Sequence, residues 1–374
     1  MKDIQAILEA CHNAEEAGRP FALATVVKVE GSAYRRPGAR MLIRPDGSRI
    51  GSVSGGCLEA DVVQRAQQVL ATGEPEYVLY DTRSSNGDLI AELGCKGAVG
   101  ILIECAFHPE VQRSLRFLGS FVQTRGEGAQ ATVFRVEGET PLSPGARLMI
   151  SAKGSLYVTQ EAADLAARLL PELESVMRQG QAQTRTLAFP GGRAEALLEP
   201  IQSPLSLQIF GAGQDAAPLA QMARALGWQV TVIDHRASLL SPERFPGVQT
   251  LHLSRPGPLE ALDAPDARTA VVLMSHNYAQ DLDWLRHLLP SPLQYIGLLG
   301  PRKRADQMLA DLCGEGIVPD AASLARLYSP AGLDIGSETP EEIAFSILAE
   351  IQAALHARSG GFLRERKGPI HSGR

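Results

Sequence analysis

The chain has 374 residues, 44% of them hydrophobic and only 5% aromatic, with a net charge of −6 and a sequence pI of about 5.8. That length suggests two to three domains. The acidic balance and the scarcity of stacking residues argue against a nucleic-acid surface, and no apolar run is long enough to span a bilayer.

The first stretch, MKDIQAILEACHNAEEAG, has helical periodicity and interspersed acids. It lacks the charged-then-apolar order of an export signal, so a cytoplasmic protein is expected. The cysteines are Cys11, Cys57, Cys95, Cys105 and Cys313. An odd, scattered set with no C-x-x-C pair argues against both a disulfide framework and a zinc site of that pattern.

An internal repeat organises residues 20–200. Residues 24–43 (ATVVKVEGSAYRRPGARMLI) and 131–150 (ATVFRVEGETPLSPGARLMI) are identical at 11 of 20 positions at an offset of 107. Each copy opens with an alternating strand, turns at Pro-Gly (Pro37-Gly38, Pro144-Gly145) and enters a second strand. A helical stretch comes next, over Leu58–Leu70 in the first copy and Ala162–Leu170 in the second. Each copy closes on a strand reaching a glutamate, Glu104 or Glu199. The pattern predicts two related α+β units, about 20–105 and 127–200, packed as one domain over 1–202.

The copies differ in chemistry. Residues 28–53 hold six basic residues against two acids, whereas the matching window 135–160 holds three against two. Only the first copy carries Ser54-Gly55-Gly56-Cys57-Leu58-Glu59 at the mouth of its helix. Two glycines there let backbone amides approach an anion at a helix N-terminus. A cysteine there is a candidate soft metal ligand or nucleophile, and Arg35 and Arg36 suit a phosphate. Cys95, in Leu93-Gly94-Cys95-Lys96-Gly97, is a weaker candidate. The plainer alternatives are cysteines packed as small hydrophobes and arginines on a solvated strand face.

From Leu205 the pattern changes. A short apolar strand, LSLQIF, runs into Gly211-Ala212-Gly213-Gln214-Asp215-Ala216 and a helix over Ala216–Leu226. A second strand, Gln229–Ile233, ends at Asp234, 21 residues beyond Gly213. This is the G-x-G-x-x-A dinucleotide fingerprint in its strand–turn–helix context, with an acid placed for a ribose hydroxyl. Arg236 is open to two readings, a 2′-phosphate contact or an ordinary surface residue. Further strands at Thr269–Met274, at Tyr295–Leu299 and near Leu327-Tyr328 predict a parallel, doubly wound sheet. Ser275, His276, Asn277, Gly300 and Arg302 collect where those strands end, which is where such folds bind ligands. The fold class expected is α/β: a C-terminal Rossmann-like doubly wound parallel sheet over 203–358, preceded by the duplicated α+β domain. The Gly-rich, basic segment 359–374 is expected to be a flexible tail.

Taken together, the segments GSAYRRPGARMLIRPDGSRIGSVSGGCLEADV, ELGCKG, LQIFGAG, VTVIDHR, YIGLLGPRKR and SPAGLDIGSETPEEIAFSILAEI resemble the xanthine dehydrogenase accessory protein family (XdhC/CoxI), molybdenum-cofactor insertion chaperones. Two departures are Gln214, where the family often has His, and Cys95-Lys96-Gly97, where it often has Cys-Gly-Gly. The resemblance implies binding of molybdenum cofactor and delivery of its sulfurated form to a xanthine dehydrogenase or related molybdenum hydroxylase apoenzyme. A cysteine desulfurase is the second partner implied. Cys57 is carried over as the leading sulfur ligand to molybdenum and Cys95 as the second candidate.

The expected cofactor-binding set is thus Cys57, Gly55, Gly56, Arg35, Arg36 and Cys95 around the metal end and phosphate, with Gly211, Gly213, Asp234, His276 and Arg302 for the pterin or a nucleotide such as NAD(P). Two rival readings stay open. One is an NAD(P)-dependent oxidoreductase, against which stands the lack of a Tyr-x-x-x-Lys pair at a familiar spacing. The other is a nucleotide-binding regulatory or assembly module with inert cysteines. A homodimer would be unsurprising if the duplicated half leaves a strand edge exposed.

Overall fold

A computed structural model describes residues 2–16, 20–81, 97–159, 163–254 and 266–367. It divides into two compact units, one over Asp3–Ser203 and one beginning at Pro204. Among the described residues, no helix is long and apolar enough to cross a membrane.

The first unit begins with α1 (Lys2–Glu16) and then β1 (Ala22–Gly31), β2 (Arg40–Ile43), β3 (Arg49–Gly51), α2 (Glu59–Thr72), β4 (Glu76–Asp81) and β5 (Gly97–Cys105). Helix α3 (Pro109–Thr124) leads to β6 (Glu127–Glu139), β7 (Arg147–Ser151), β8 (Leu156–Val158), α4 (Ala163–Gln179), β9 (Gln183–Phe189) and β10 (Gly191–Gln202). The strands form two antiparallel sheets, ordered β3-β2-β1-β5-β4 and β8-β7-β6-β10-β9. The second repeats the first strand for strand. Each Pro-Gly turn reverses the chain at a glycine with positive φ, Gly38 at +91° and Gly145 at +92°, a region that side chains with a Cβ rarely adopt. The turn hydrogen bonds also match, Gly38 N–H to Val26 O and Gly145 N–H to Val133 O, both 2.8 Å.

The second copy's helix runs further than the pattern suggests, from Ala163 through Pro171 to Gln179. Proline removes one helical hydrogen bond. Leu165, Leu169, Leu173 and Val176 nevertheless continue one buried stripe across it, and that burial holds the helix together.

A bulge in each copy shapes the contact between the two sheets. The β1–β5 register steps from Val26 to Lys28, and the β10–β6 register passes over Phe134. The skipped residues, Val27 and Phe134, are equivalent at the repeat offset. A bulge re-aims a side chain out of its alternation. Here both land in one buried cluster with Leu102 and Leu197, contributed by β5 and β10. Each such side chain taken from water is worth about 1.5–3 kcal/mol.

Two buried ion pairs flank this cluster, and they are reciprocal. Arg40 of the first copy meets Glu199 of the second, with Nη1 to Oε2 at 3.0 Å, and Arg147 of the second meets Glu104 of the first at 2.6 Å. Each arginine also donates to the carbonyl of its own turn glycine, Gly38 or Gly145. Glu195 is shared by Lys28 at 2.8 Å and Arg135 at 3.3 Å, again equivalent positions.

The second unit runs β11 (Ser206–Phe210), α5 (Ala216–Ala225), β12 (Gln229–Asp234), β13 (Thr250–Leu253), β14 (Thr269–Leu273), α6 (Tyr278–Leu288), β15 (Tyr295–Leu298), α7 (Arg302–Gly314), α8 (Ala321–Leu324), β16 (Leu327–Tyr328) and α9 (Pro340–Leu355). Its parallel sheet is ordered β13-β12-β11-β14-β15-β16. That is the Rossmann order 3-2-1-4-5-6, and the expected α/β class stands. Helices α5 and α9 cover one face around Leu219, Ala220, Ile347 and Ile351. Helices α6 and α7 cover the other around Trp284, Leu285, Met308 and Leu312. Helix α9 opens with the capping box that Thr339-Pro340-Glu341-Glu342 spells out.

Candidate functional site

In the first unit, the loop from β3 into α2 is built around Ser54. The Ser54 hydroxyl donates to the Glu59 carboxylate and accepts from the Gly56 and Leu58 amides, both at 3.1 Å. The Ser54 amide donates to the other Glu59 oxygen at 3.0 Å. Glu59 is only 3% exposed. Burial pushes its carboxyl up, but the hydrogen bonds from the Ser54 hydroxyl and amide outweigh that and hold it below the usual range. The loop is therefore braced from inside, and Cys57 is left exposed on its outer side. Its thiol donates to the Ser54 hydroxyl at 3.5 Å.

Gly56 has φ +116°, and a Cβ there would meet nothing within 4 Å. The glycine is required by conformation, not by crowding. Gly55 lies under the Tyr34 ring, 3.5 Å from where its Cβ would stand. Tyr34 is 71% exposed.

The arginines do not gather on this loop. Arg35 donates to the Ser52 carbonyl at 3.1 Å and pairs with Asp3 of α1. Arg36 instead lines a cavity of about 300 Å³ with Gly38, Arg40, Glu199 and Gln202, whose walls include none of the Gly-Gly-Cys residues. Cys95 lies outside the described residues.

In the second unit, Gly211, Gly213, Asp234 and His276 converge at the carboxyl ends of β11, β12 and β14. Gly211 has φ +119°, and a Cβ would stand 2.6 Å from the Met274 carbonyl oxygen. Its requirement for glycine is thus set by backbone packing between strand ends. Gly213 has ordinary space, its nearest neighbour being the His276 ring at 3.6 Å. His276 adopts φ +59°, strained for a non-glycine residue, and places Nε2 at 3.2 Å from the Asp215 carboxylate. The neighbouring Asn277 is the N-cap of α6. Arg302 is exposed at the first position of α7, while Arg304 two residues on is tied to the buried Asp281 at 2.6 Å. Asp281 also accepts from the Ser275 hydroxyl at 2.6 Å.

Asp234 is 0% exposed, and its two oxygens accept four hydrogen bonds. The donors are the Ala212 amide at 2.7 Å, the Arg236 amide at 2.8 Å, and Arg236 Nε and Nη2 at 2.9 and 2.8 Å. Burial raises this carboxyl, but the Arg236 guanidinium and the two amides outweigh it and bring it down to about 2. The fingerprint spacing places Asp234 for a ribose hydroxyl; the structure fills its acceptors with the chain's own donors. A depressed pKa contributes stability above the unfolded value of about 3.9, lost as pH falls through the folded value. The second unit should therefore lose about 2–3 kcal/mol between roughly pH 5 and pH 2. Urea titrations followed by tryptophan fluorescence should show an acid slope that Asp234→Asn flattens; an unchanged slope would contradict the assignment.

Ser54, Glu59 and Asp215 stand inside motifs the sequence shows, but their pairings do not follow from it, and Tyr34, Asp281 and Arg304 escape a reading of the sequence as site residues. Glu59 and Asp215 have a local signal, as acids at the start of a helix.

Known proteins share both units. A family model described as "XdhC and CoxI family" matches twice, over residues 14–81 and 122–189, and one described as "XdhC Rossmann domain" matches 207–351. The chain is 32% identical over 334 residues to a protein named as a probable xanthine dehydrogenase subunit of Bacillus subtilis (strain 168), covering 88% of this chain and 91% of that one. It is 23% identical over 349 residues to the molybdenum cofactor insertion chaperone PaoD of Escherichia coli (strain K12), covering 93% and 88%. A crystal structure described as a xanthine dehydrogenase from Bacillus halodurans superposes with a TM-score of 0.75 at 26% identity, over 96% of this chain and 97% of that one.

Proposed function

The chain belongs to the XdhC and CoxI family, and on that premise we propose that it is a maturation factor for a molybdoenzyme, one that binds molybdenum cofactor as cargo and passes it to a xanthine dehydrogenase or related hydroxylase. The support from relatives is the name of PaoD, a molybdenum cofactor insertion chaperone, and that of the xanthine dehydrogenase subunit.

The observation that carries the reading is the exposed Cys57, held on the outside of a loop that Ser54 and Glu59 brace from within. Molybdenum is well served by a soft thiolate ligand. A rigid loop fixes the sulfur without burying it, so a partner can reach the metal. Cargo held by protein sulfur at an exposed position can be released without unfolding anything. In this reading Gly55 and Gly56 bring backbone close to the bound group, and Arg35, which donates to the Ser52 carbonyl, is the cation offered to a phosphate. Receipt of the terminal sulfur from a cysteine desulfurase, with Cys95 as a second sulfur ligand, belongs to the same proposal. The second unit takes a nucleotide in this reading.

The test is cofactor retention. Wild type, Cys57→Ala and Cys57→Ser are purified from a molybdenum-replete host, and bound metal and pterin are measured. A serine can still donate to Ser54, so it removes the sulfur and keeps the loop. Both variants should retain at least about tenfold less cofactor, the scale on which metal sites respond to altered ligation. Equal retention by either would refute the role of Cys57.

A further inference from the structure

We propose that the second unit selects a nucleotide whose ribose carries a phosphate monoester, read by Arg236 and Arg244 and not by Asp234. This rests on the reading of that unit as a nucleotide holder and is independent of the thiol loop.

The fingerprint acid normally accepts a ribose hydroxyl. Asp234 has no acceptor to spare, because Ala212 N–H and Arg236 N–H, Nε and Nη2 already occupy both oxygens. A plain ribose diol could bind there only by displacing the guanidinium from a buried carboxylate. Leaving such a charge unpaired costs more than a neutral hydroxyl contact returns.

The same geometry that closes the carboxylate offers cations instead. Arg236 spends Nε and Nη2 on Asp234. Among the described residues its Nη1 has no partner, and the side chain is 42% exposed. The second guanidinium belongs to Arg244. It donates to the Leu239 carbonyl at 3.1 Å and reaches the Gly213 carbonyl at 3.5 Å. The two arginines are thereby anchored at consecutive residues of the glycine loop, Ala212 through Asp234 and Gly213 directly. His235 stands beside them, its Nδ1 3.4 Å from Asp234. The buried carboxylate is already paired by Arg236, and Arg244 stands at the next residue of the glycine loop. An added dianion completes that set with charge-assisted hydrogen bonds, and an arginine beside the fingerprint acid is the known means of taking a ribose phosphate. The nucleotide's other phosphate falls to the N-terminus of α5.

The full chain is titrated calorimetrically with adenosine 2′,5′-bisphosphate, adenosine 3′,5′-bisphosphate and adenosine 5′-monophosphate at about 0.15 M salt. One bisphosphate should bind at least about tenfold tighter than the monophosphate, and which isomer wins identifies the phosphate position. Arg236→Gln and Arg244→Gln should each remove most of that preference. Because Arg236 pairs a buried acid, thermal melts check its variant. If Arg236→Gln fails to fold, Arg244→Gln and Arg236→Lys decide the matter. Equal affinity for the monophosphate, a preference that survives the arginine substitutions, or no binding of any of the three at millimolar concentration overturns the proposal. None of these results alters cofactor retention through Cys57, so the two readings fail separately.

Discussion

Substituting Glu199 with Ala should destabilise the first unit by about 3–5 kcal/mol, the cost of leaving a buried charge without its partner. Arg40 and Glu199 are 4% and 6% exposed, and each carboxylate oxygen receives one guanidinium nitrogen. With Glu199 gone, the guanidinium keeps only the Gly38 carbonyl at 2.8 Å. The double variant Arg40→Met/Glu199→Leu removes both charges and should cost far less, since apolar replacement of a whole buried pair is often near neutral. The chain's own tryptophans make the measurement clean. Both of them, Trp228 and Trp284, lie in the second unit. Urea unfolding of Glu199→Ala should therefore move the far-ultraviolet dichroism transition earlier while the tryptophan transition stays in place. A shift below about 1 kcal/mol would mean that the pair is a surface-like contact.

Gly211→Ala should have the second large effect, about 2–4 kcal/mol, and on the tryptophan transition. Two costs add. An alanine must adopt φ +119°, and its Cβ must stand 2.6 Å from a carbonyl oxygen and 2.7 Å from two further backbone atoms at the end of β14. Strand ends held by the Gly211 N–H to Ile233 O bond and the Met274 N–H to Phe210 O bond have little room to retreat. Gly213→Ala is the control. Its Cβ would meet only the His276 ring at van der Waals distance, and it should cost under about 1 kcal/mol. If the two variants were equally stable, the first glycine would be kept for ligand approach and not for packing.

The legible parts of this protein are those written in local pattern. The offset of 107 exposes the duplication because β1 and β6, and the turns at Gly38 and Gly145, repeat residue for residue. The second unit is legible because strand, glycine loop, helix and acid stand in order. What stays hidden depends on residues far apart in sequence. Nothing near Arg40 announces Glu199, 159 positions away, and nothing in TVVKV or TVFRV marks the bulges that turn Val27 and Phe134 toward each other. Asp234 is a different case. The competing cation is visible two residues on, but its reach back to the carboxylate depends on a backbone bend after β12 that spacing alone does not specify. For helix α4 the local pattern stops at Leu170, since Pro171 is a breaker, yet the Leu169–Leu173–Val176 stripe outweighs it. At the thiol loop, residue types point to Cys57, whereas the Ser54–Glu59 brace that exposes it emerges only in three dimensions. Cys95 falls outside the described residues.

The reciprocal arrangement of the two copies has a consequence during synthesis. Glu104 waits only 43 residues for Arg147, but Arg40 waits 159 for Glu199. At ribosomal rates of about 5–20 residues per second, that is roughly 10–30 s in which the nascent first copy holds an unpaired arginine and an open apolar bulge. Its last partner strand, β10, is also the final strand of the unit. The interface between the copies therefore cannot close until β10 emerges, although the first copy's own core is complete in sequence by Ile103. It closes when the end of the unit arrives, and for that interval the face of the first sheet around Val27 and Leu102 stays open.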